Sequence, residues 1–215
     1  MNGDALIAEG RRLARPCVHL RPDGEPHAAA AIWRGEGLVP PPGVGYEHWL
    51  TIDCRFLPAA AGPPSGCLSV YTEDRDRHGA VTHDPAAALS LSRGGRLLYA
   101  HPAESLPPLE AVFLRGSPAV AEWLASLSWP AECGWNGNFP DAVVADAYFA
   151  AQQDNLPMGG ESVFAVLGGW PVPWPDGDWS ELADLPLVVF TLAESEPWVE
   201  AFRVGDGFRV IQRIS

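Results

Sequence analysis

The chain is expected to fold as one α+β domain, with a mostly antiparallel sheet and two to four helices. Three observations carry that expectation. Short β-branched and aromatic runs recur along the 215 residues, among them "EHWLTIDCRFL", "GCLSVYTED" and "PLVVFTL". Glycine and proline, 22 of each, are spread without a period and break the chain into many turns. Helical spacing of apolar residues is confined to a few segments.

Taken in order, Asp4–Ala14 puts Leu6, Ile7, Gly10 and Leu13 on one helical face. Asn2 or Asp4 can cap that helix, and Pro16 ends it. "CVHL" then begins an extended stretch, and Arg21–Pro26 is a turn. Ala28–Gly35 is expected as a short strand and Glu36–Gly45 as a loop. Glu47–Leu57 and Gly66–Asp74 are strands whose linker makes an antiparallel pair, and the charged Asp74–Gly79 is an exposed turn. Arg96–Pro102 and Leu109–Gly116 are expected as two further strands. Ser117–Trp129 is the clearest helix. Ser117 is placed to cap it, Pro118 takes the first position, and Val120, Trp123, Leu124 and Leu127 share a face.

Asp141–Asn155 is a further helix, and Ser162–Gly169 and Pro186–Leu192 are strands. The end of the chain, from Trp198 to Ile214, alternates about a Gly205–Asp206–Gly207 turn and reads as a hairpin. A subdivision of the single domain would fall near Cys133–Asp141.

Charge is laid out unevenly. Between Arg115 and Arg203 there is no arginine, lysine or histidine, and the same span holds thirteen acids. The rest of the chain balances fourteen acids with fourteen arginines, so the net charge of −13 resides in one span. The bland explanation is solubility. The functional one is an acidic field facing a basic partner, which speeds association and weakens with salt. Nucleic acid and anionic membranes are disfavoured as partners, because the same field repels them.

The polar chemistry lies in the first half, where all six histidines occur. His78 and His83 are five apart with Asp76 and Asp84 nearby. That spacing is generic and the segment reads as an exposed loop, so no metal is expected. His48, Leu50, Ile52 and Cys54 would share one face of their strand, with Asp53 beside them. A nucleophile and base need contact in space, and a buried structural cysteine is the commoner outcome. Cys17, Cys54, Cys67 and Cys133 form no C-x-x-C pair and read as reduced thiols; Cys54 and Cys67 could face each other across adjacent strands. No nucleophile elbow, phosphate loop or dinucleotide fingerprint occurs, and Asp176–Asp178 lacks the remaining ligands of a calcium loop. No cofactor is expected. The N-terminus "MNGDALIAEGRRLARP" lacks the apolar stretch of a secretory signal, so a cytoplasmic location is expected.

One stretch stands apart. "LGGWPVPWPDGDW", Leu167–Trp179, holds three tryptophans and three prolines. Each proline forces its predecessor extended, which holds Trp170 and Trp174 stiffly. Trp170 is expected to cap the core. Trp174 and Trp179 flank Asp176 and Asp178, an arrangement suited to stacking on an arginine-rich protein surface. With Glu181, Asp184, Glu194 and Glu196 they make the expected partner-binding set.

"FAVLGGWPVPWPDGDW", then "LPLVVFTLAESEPW" and "GDGFRVIQRI", resembles the C-terminal half of the YwqG-like family of bacterial proteins. Gly168, Gly169, Trp170, Pro171, Trp198, Asp206 and Gly207 are the matching positions. The resemblance spans about a quarter of the chain, with short motifs. Trp174 and "VVFTL" stand where the family usually has a Gln and an "LLQ" strand. The resemblance implies an antiparallel α+β fold and no established activity.

Two functions are therefore weighed. The first is a non-catalytic cytoplasmic bacterial protein that binds a basic protein partner, in its sharpest form an immunity protein or antitoxin neutralising a cationic toxin. The alternative is a small hydrolase-like enzyme using His48 with Cys54 or Asp53. The charge layout favours the binder.

Overall fold

The structure, a computed structural model, describes residues 1–38, 45–73, 79–90, 94–127, 142–155, 163–171, 179–191 and 198–213. The first element is helix α1 (Gly3–Arg12), with Asn2 accepting a hydrogen bond from the Ala5 amide at 3.0 Å. Strands β1 (Arg15–Arg21), β2 (Ala29–Trp33), β3 (Tyr46–Asp53), β4 (Cys67–Glu73), β5 (Gly79–Asp84) and β6 (Arg96–Ser105) follow. Helices α2 (Leu109–Arg115), α3 (Pro118–Ser126) and α4 (Ala142–Asn155) come next. The chain then runs through β7 (Ala165–Gly168), the single turn α5 (Trp179–Leu182), β8 (Leu187–Thr191), β9 (Trp198–Val204) and β10 (Gly207–Arg213).

The expected fold class is corrected at this point. The ten strands form one sheet, every pairing antiparallel, in the order β10-β9-β8-β7-β1-β6-β2-β3-β4-β5. That sheet curls into a nearly closed barrel, with 41% of residues in strands and 28% in helices. At the seam β10 lies against β5 and the end of β4. The Gln212 amide donates to the Glu73 carbonyl at 3.2 Å. Gly79 lies against Val210, and a Cβ there would come within 2.7 Å of the valine. An α+β layer needs helices to cover one face of a sheet; here the sheet covers its own inner face.

All ten strands contribute to the main core. Leu20, Trp33, Leu50, Val70, Leu98 and Leu167 are in it, with Val189, Ala201 and Val210 from the far side of the sheet. Val81 of β5 packs against it. Outside the barrel, Leu6 of α1 packs with Val112, Val120, Val144 and Tyr148 of α2, α3 and α4. The Tyr148 hydroxyl donates to the Pro107 carbonyl at 2.8 Å. Gly10 of α1 lies on the Tyr148 ring, where a Cβ would sit 2.5 Å from its oxygen. Leu182 of α5 caps Phe190 and Phe202 on the outer face of β8 and β9.

Several local expectations are corrected too. Leu109–Gly116, expected as a strand, is α2. Its run fits either period, but Pro107–Pro108 before it and Gly116 after it bound a helix that buries Leu109 and Val112. Residues 79–83, expected as loop, are strand β5. The Ser117 side chain makes no cap bond; instead the Ser117 amide donates to Glu9 of α1 at 2.7 Å, which ties α3 to the first helix. The suggested subdivision near Cys133–Asp141 lies outside the described residues.

Candidate functional site

One end of the barrel gathers the start of β1, the ends of β6 and β7, and the start of β8. The register places Arg15 opposite Ser105 and Cys17 opposite Gly168. Beyond β7 the chain must turn sharply, and Gly168 and Gly169 both take positive φ, 69° and 84°. Trp170 then folds back over the barrel end and is buried. Its amide donates to the Ser105 hydroxyl at 3.2 Å and its indole N–H to the Leu13 carbonyl at 3.0 Å. It is buried, yet among the described residues it belongs to none of the hydrophobic core clusters and is held instead by Ser105, Leu13 and the Arg15 stack.

Two guanidinium groups meet that indole. Arg15 lies with its Cζ 3.5 Å from the ring centroid, and Arg115 of α2 at 5.2 Å. Arg15 donates to the Ala183 carbonyl at 3.2 Å. Arg115 forms an ion pair with Asp184. Burial, then the neighbouring charge of Arg115, pull the Arg15 pKa below the ordinary arginine value, with Asp184 opposing. It stays protonated at neutral pH all the same. Beside Arg15 opens a cavity of about 300 Å³, walled by Pro16, Pro58, Ala60, Ala61, Pro186 and Leu187 and completed by Gly168, Gly169 and Asp184. The arrangement offers one cation, rigid apolar walls and a carboxylate already neutralised by its own partner.

Sequence reasoning found Trp170 and missed Arg15 and Arg115. No local signal marks them, since Trp170 and its Leu13 partner are 157 residues apart. The cation-free span is thus not free of cations in space, because Arg115 and Arg15 are brought to its edge.

The expected partner-binding residues divide. Glu181 is exposed on α5, and Asp184 is exposed but held by Arg115. Trp179 opens α5. Trp174, Asp176, Asp178, Glu194 and Glu196 lie outside the described residues. Two further acids of the same span are exposed, Glu122 on α3 and Asp146 on α4. Glu200 is different: it is buried in β9, in a row across the outer face with Phe190, Val166 and His19.

The His48 set does not assemble. The register slips at Trp49, so His48 stands opposite Tyr71 and faces away from Leu50 and Ile52. His48 Nδ1 lies 2.8 Å from the Gly35 carbonyl and 3.3 Å from the Gly35 amide, and Nε2 lies 2.8 Å from the Thr51 hydroxyl. Ser69 in turn lies 2.9 Å from Thr51. Burial lowers the His48 pKa, partly offset by backbone bonds to Gly35 and Leu50. Cys54 sits in a turn at the other end of the strand, roughly 20 Å away by strand rise. Asp53 accepts from Arg55 at 2.6 Å. His78 lies outside the described residues, and His83 faces the Ser65 carbonyl at 3.0 Å.

Cys17, Cys54 and Cys67 are free and buried. Desolvation pushes Cys17 and Cys54 up to about 12 and Cys67 to about 11. Only the thiolate attacks, so at pH 8 about one thiol in 10³ or fewer is competent. A thiol reagent at that pH is therefore expected to leave these three unmodified in the folded protein and to label them at once in denaturant. Equal rates in both conditions refute the burial.

No family model, curated protein or solved structure matches the chain. Among the described residues, no helix is long and apolar enough to cross a membrane.

Proposed function

We propose that this protein is a non-catalytic binder of a basic protein partner, in its sharpest form an immunity protein or antitoxin neutralising a cationic toxin. One observation carries the reading. The cation-free span supplies α3, α4 and α5, and these present exposed Glu122, Asp146 and Glu181. On α4 the outward face sets Asp146 between two exposed apolar side chains, Val143 and Phe149. A helix apolar on both faces is suited to being covered on both. Apolar anchors beside acids fit a partner with apolar pockets rimmed by arginine or lysine.

The same reading disfavours nucleic acid and anionic membranes. It places the protein in a bacterial cytoplasm, where buried thiols such as Cys17, Cys54 and Cys67 stay reduced. Kinship with the YwqG-like family is part of the proposal. It rests on the Gly168–Pro171 turn and the Gly205–Gly207 hairpin.

The test is affinity capture from the native host, identification of the partner, and association kinetics at low and high salt. Replacing Glu122, Asp146 and Glu181 by Gln, Asn and Gln is expected to slow association about tenfold at low salt and to flatten its salt dependence. Phe149→Ala is expected to speed dissociation instead. A neutral or acidic partner, or unchanged kinetics in the triple variant, defeats the reading.

A further inference from the structure

We propose that the cavity at the Trp170 end of the barrel binds a small organic carboxylate, whose anionic end pairs with Arg15 while its apolar body lies against Pro58, Ala60, Pro186 and Leu187. This site takes a ligand of the opposite charge to the proposed protein partner, and it stands on different residues.

The charges argue first. Arg15 and Arg115 share the face of one indole, at 3.5 and 5.2 Å. Asp184 is the carboxylate beside them, and its ion pair is with Arg115. Among the described residues, the hydrogen bond given by Arg15 goes to a neutral acceptor, the Ala183 carbonyl. A half-buried guanidinium held beside a second one gains from an anion, because burial strengthens the pairing and leaves an uncompensated cation costly. In a chain of net charge −13, such a locally positive pocket is against the trend of the whole surface.

Shape argues second. The cavity is about 300 Å³, at the lower end of small-molecule sites, and it opens at a barrel end, a common place for them. Its apolar wall selects against a bare inorganic anion, which would lose hydration without filling the space. A planar carboxylate suits the guanidinium fork, and a short apolar tail suits proline and leucine walls.

Preorganisation argues third. Trp170 is fixed at its amide and at its indole N–H. Stacking on that ring, with the bond to Ala183, fixes Arg15. Gly168 packs against Pro58 so closely that a Cβ would fall 2.3 Å from the proline ring. Little ordering is left for a ligand to impose, which favours binding.

The test is calorimetric titration of the full chain with hexanoate and benzoate, with hexanol and inorganic phosphate as comparisons. One saturable site is expected for the carboxylates, with Kd below about 1 mM. Hexanol, lacking the charge, and phosphate, lacking the tail, are expected to bind at least about tenfold more weakly. Arg15→Gln is expected to weaken hexanoate by more than about tenfold. Because that variant also loses the stack on Trp170, Ala60→Trp serves beside it. Ala60 is exposed at the rim, so an indole there blocks the cavity without touching the arginine stack. Absence of saturable carboxylate binding overturns the proposal. So does phosphate binding as tightly as hexanoate, or a folded Ala60→Trp variant with unchanged affinity.

Discussion

A chain ending at Gly205 is expected to yield no soluble, cooperatively folding protein. The ten residues removed include the whole of β10, which pairs with β9 from Gly207 opposite Val204 to Arg213 opposite Trp198. They also carry Val210, which fills the barrel, and Gln212, which joins the seam to Glu73. Losing the burial of Val210 costs roughly 1.5–3 kcal/mol, and partly buried Phe208 and Ile211 add smaller amounts. Added to the lost ladder, that is comparable to the whole stability of a domain, about 5–15 kcal/mol. It also uncovers an edge along β9 ready to pair with another chain. Soluble yield and a thermal melt followed by circular dichroism provide the check. A truncated chain that melts cooperatively near the full-length temperature sinks the assignment of β10 as the closing strand.

The second large effect is expected at Gly168. Its φ of 69° is costly for any residue with a Cβ, by about 1–2 kcal/mol. The methyl of Gly168→Ala would also stand 2.3 Å from the Pro58 ring, a rigid neighbour. Overpacking of that kind adds typically about 1–3 kcal/mol. The sum is on the order of 3 kcal/mol, or a fall in Tm of roughly 6–12 °C for a chain of this length. Gly205 isolates the two contributions. It also has positive φ, 58°, but nothing lies within 4 Å of its missing Cβ. Gly205→Ala is therefore expected to lose only the backbone part, roughly 2–8 °C. Equal shifts at the two sites would show that the contact with Pro58 carries no weight.

Much of the strand content was legible because it depends on near neighbours. The terminal hairpin announces itself in Gly205–Asp206–Gly207, and α3 in the Ser117–Pro118 start. What failed depends on distant parts of the chain. Leu109–Arg115 satisfies both periods, and only the packing of Leu109 and Val112 against Leu6 and Tyr148 decides for helix. Residues 79–83 look solvated as "GAVTH", yet β4 on one side and Val210 on the other make them a strand. The near closure of the barrel brings β10 against β5 and the end of β4, a relation no local window contains. One extra residue at Trp49 turns His48 to the other face, and the histidine–cysteine idea depended on that face. The site shows the same division. Trp170 was legible from the rigid "GGWP" turn, whereas Arg15 and Arg115 gain meaning only when β1 and α2 are brought to it.

The place of β1 in the sheet bears on how the protein is made. Of the ten strands it is made before the other nine, yet it lies between β6 and β7. Its second neighbour, Ala165–Gly168, is translated some 147 residues after Arg21. At about 5–20 residues per second, β1 waits roughly 7–30 s with one edge unpaired. Proteins dominated by such distant pairings fold slowly and are exposed to aggregation meanwhile. The nascent chain is thus a natural client for a chaperone that shields strand edges, and its yield during overexpression should rise when translation and temperature are slowed together.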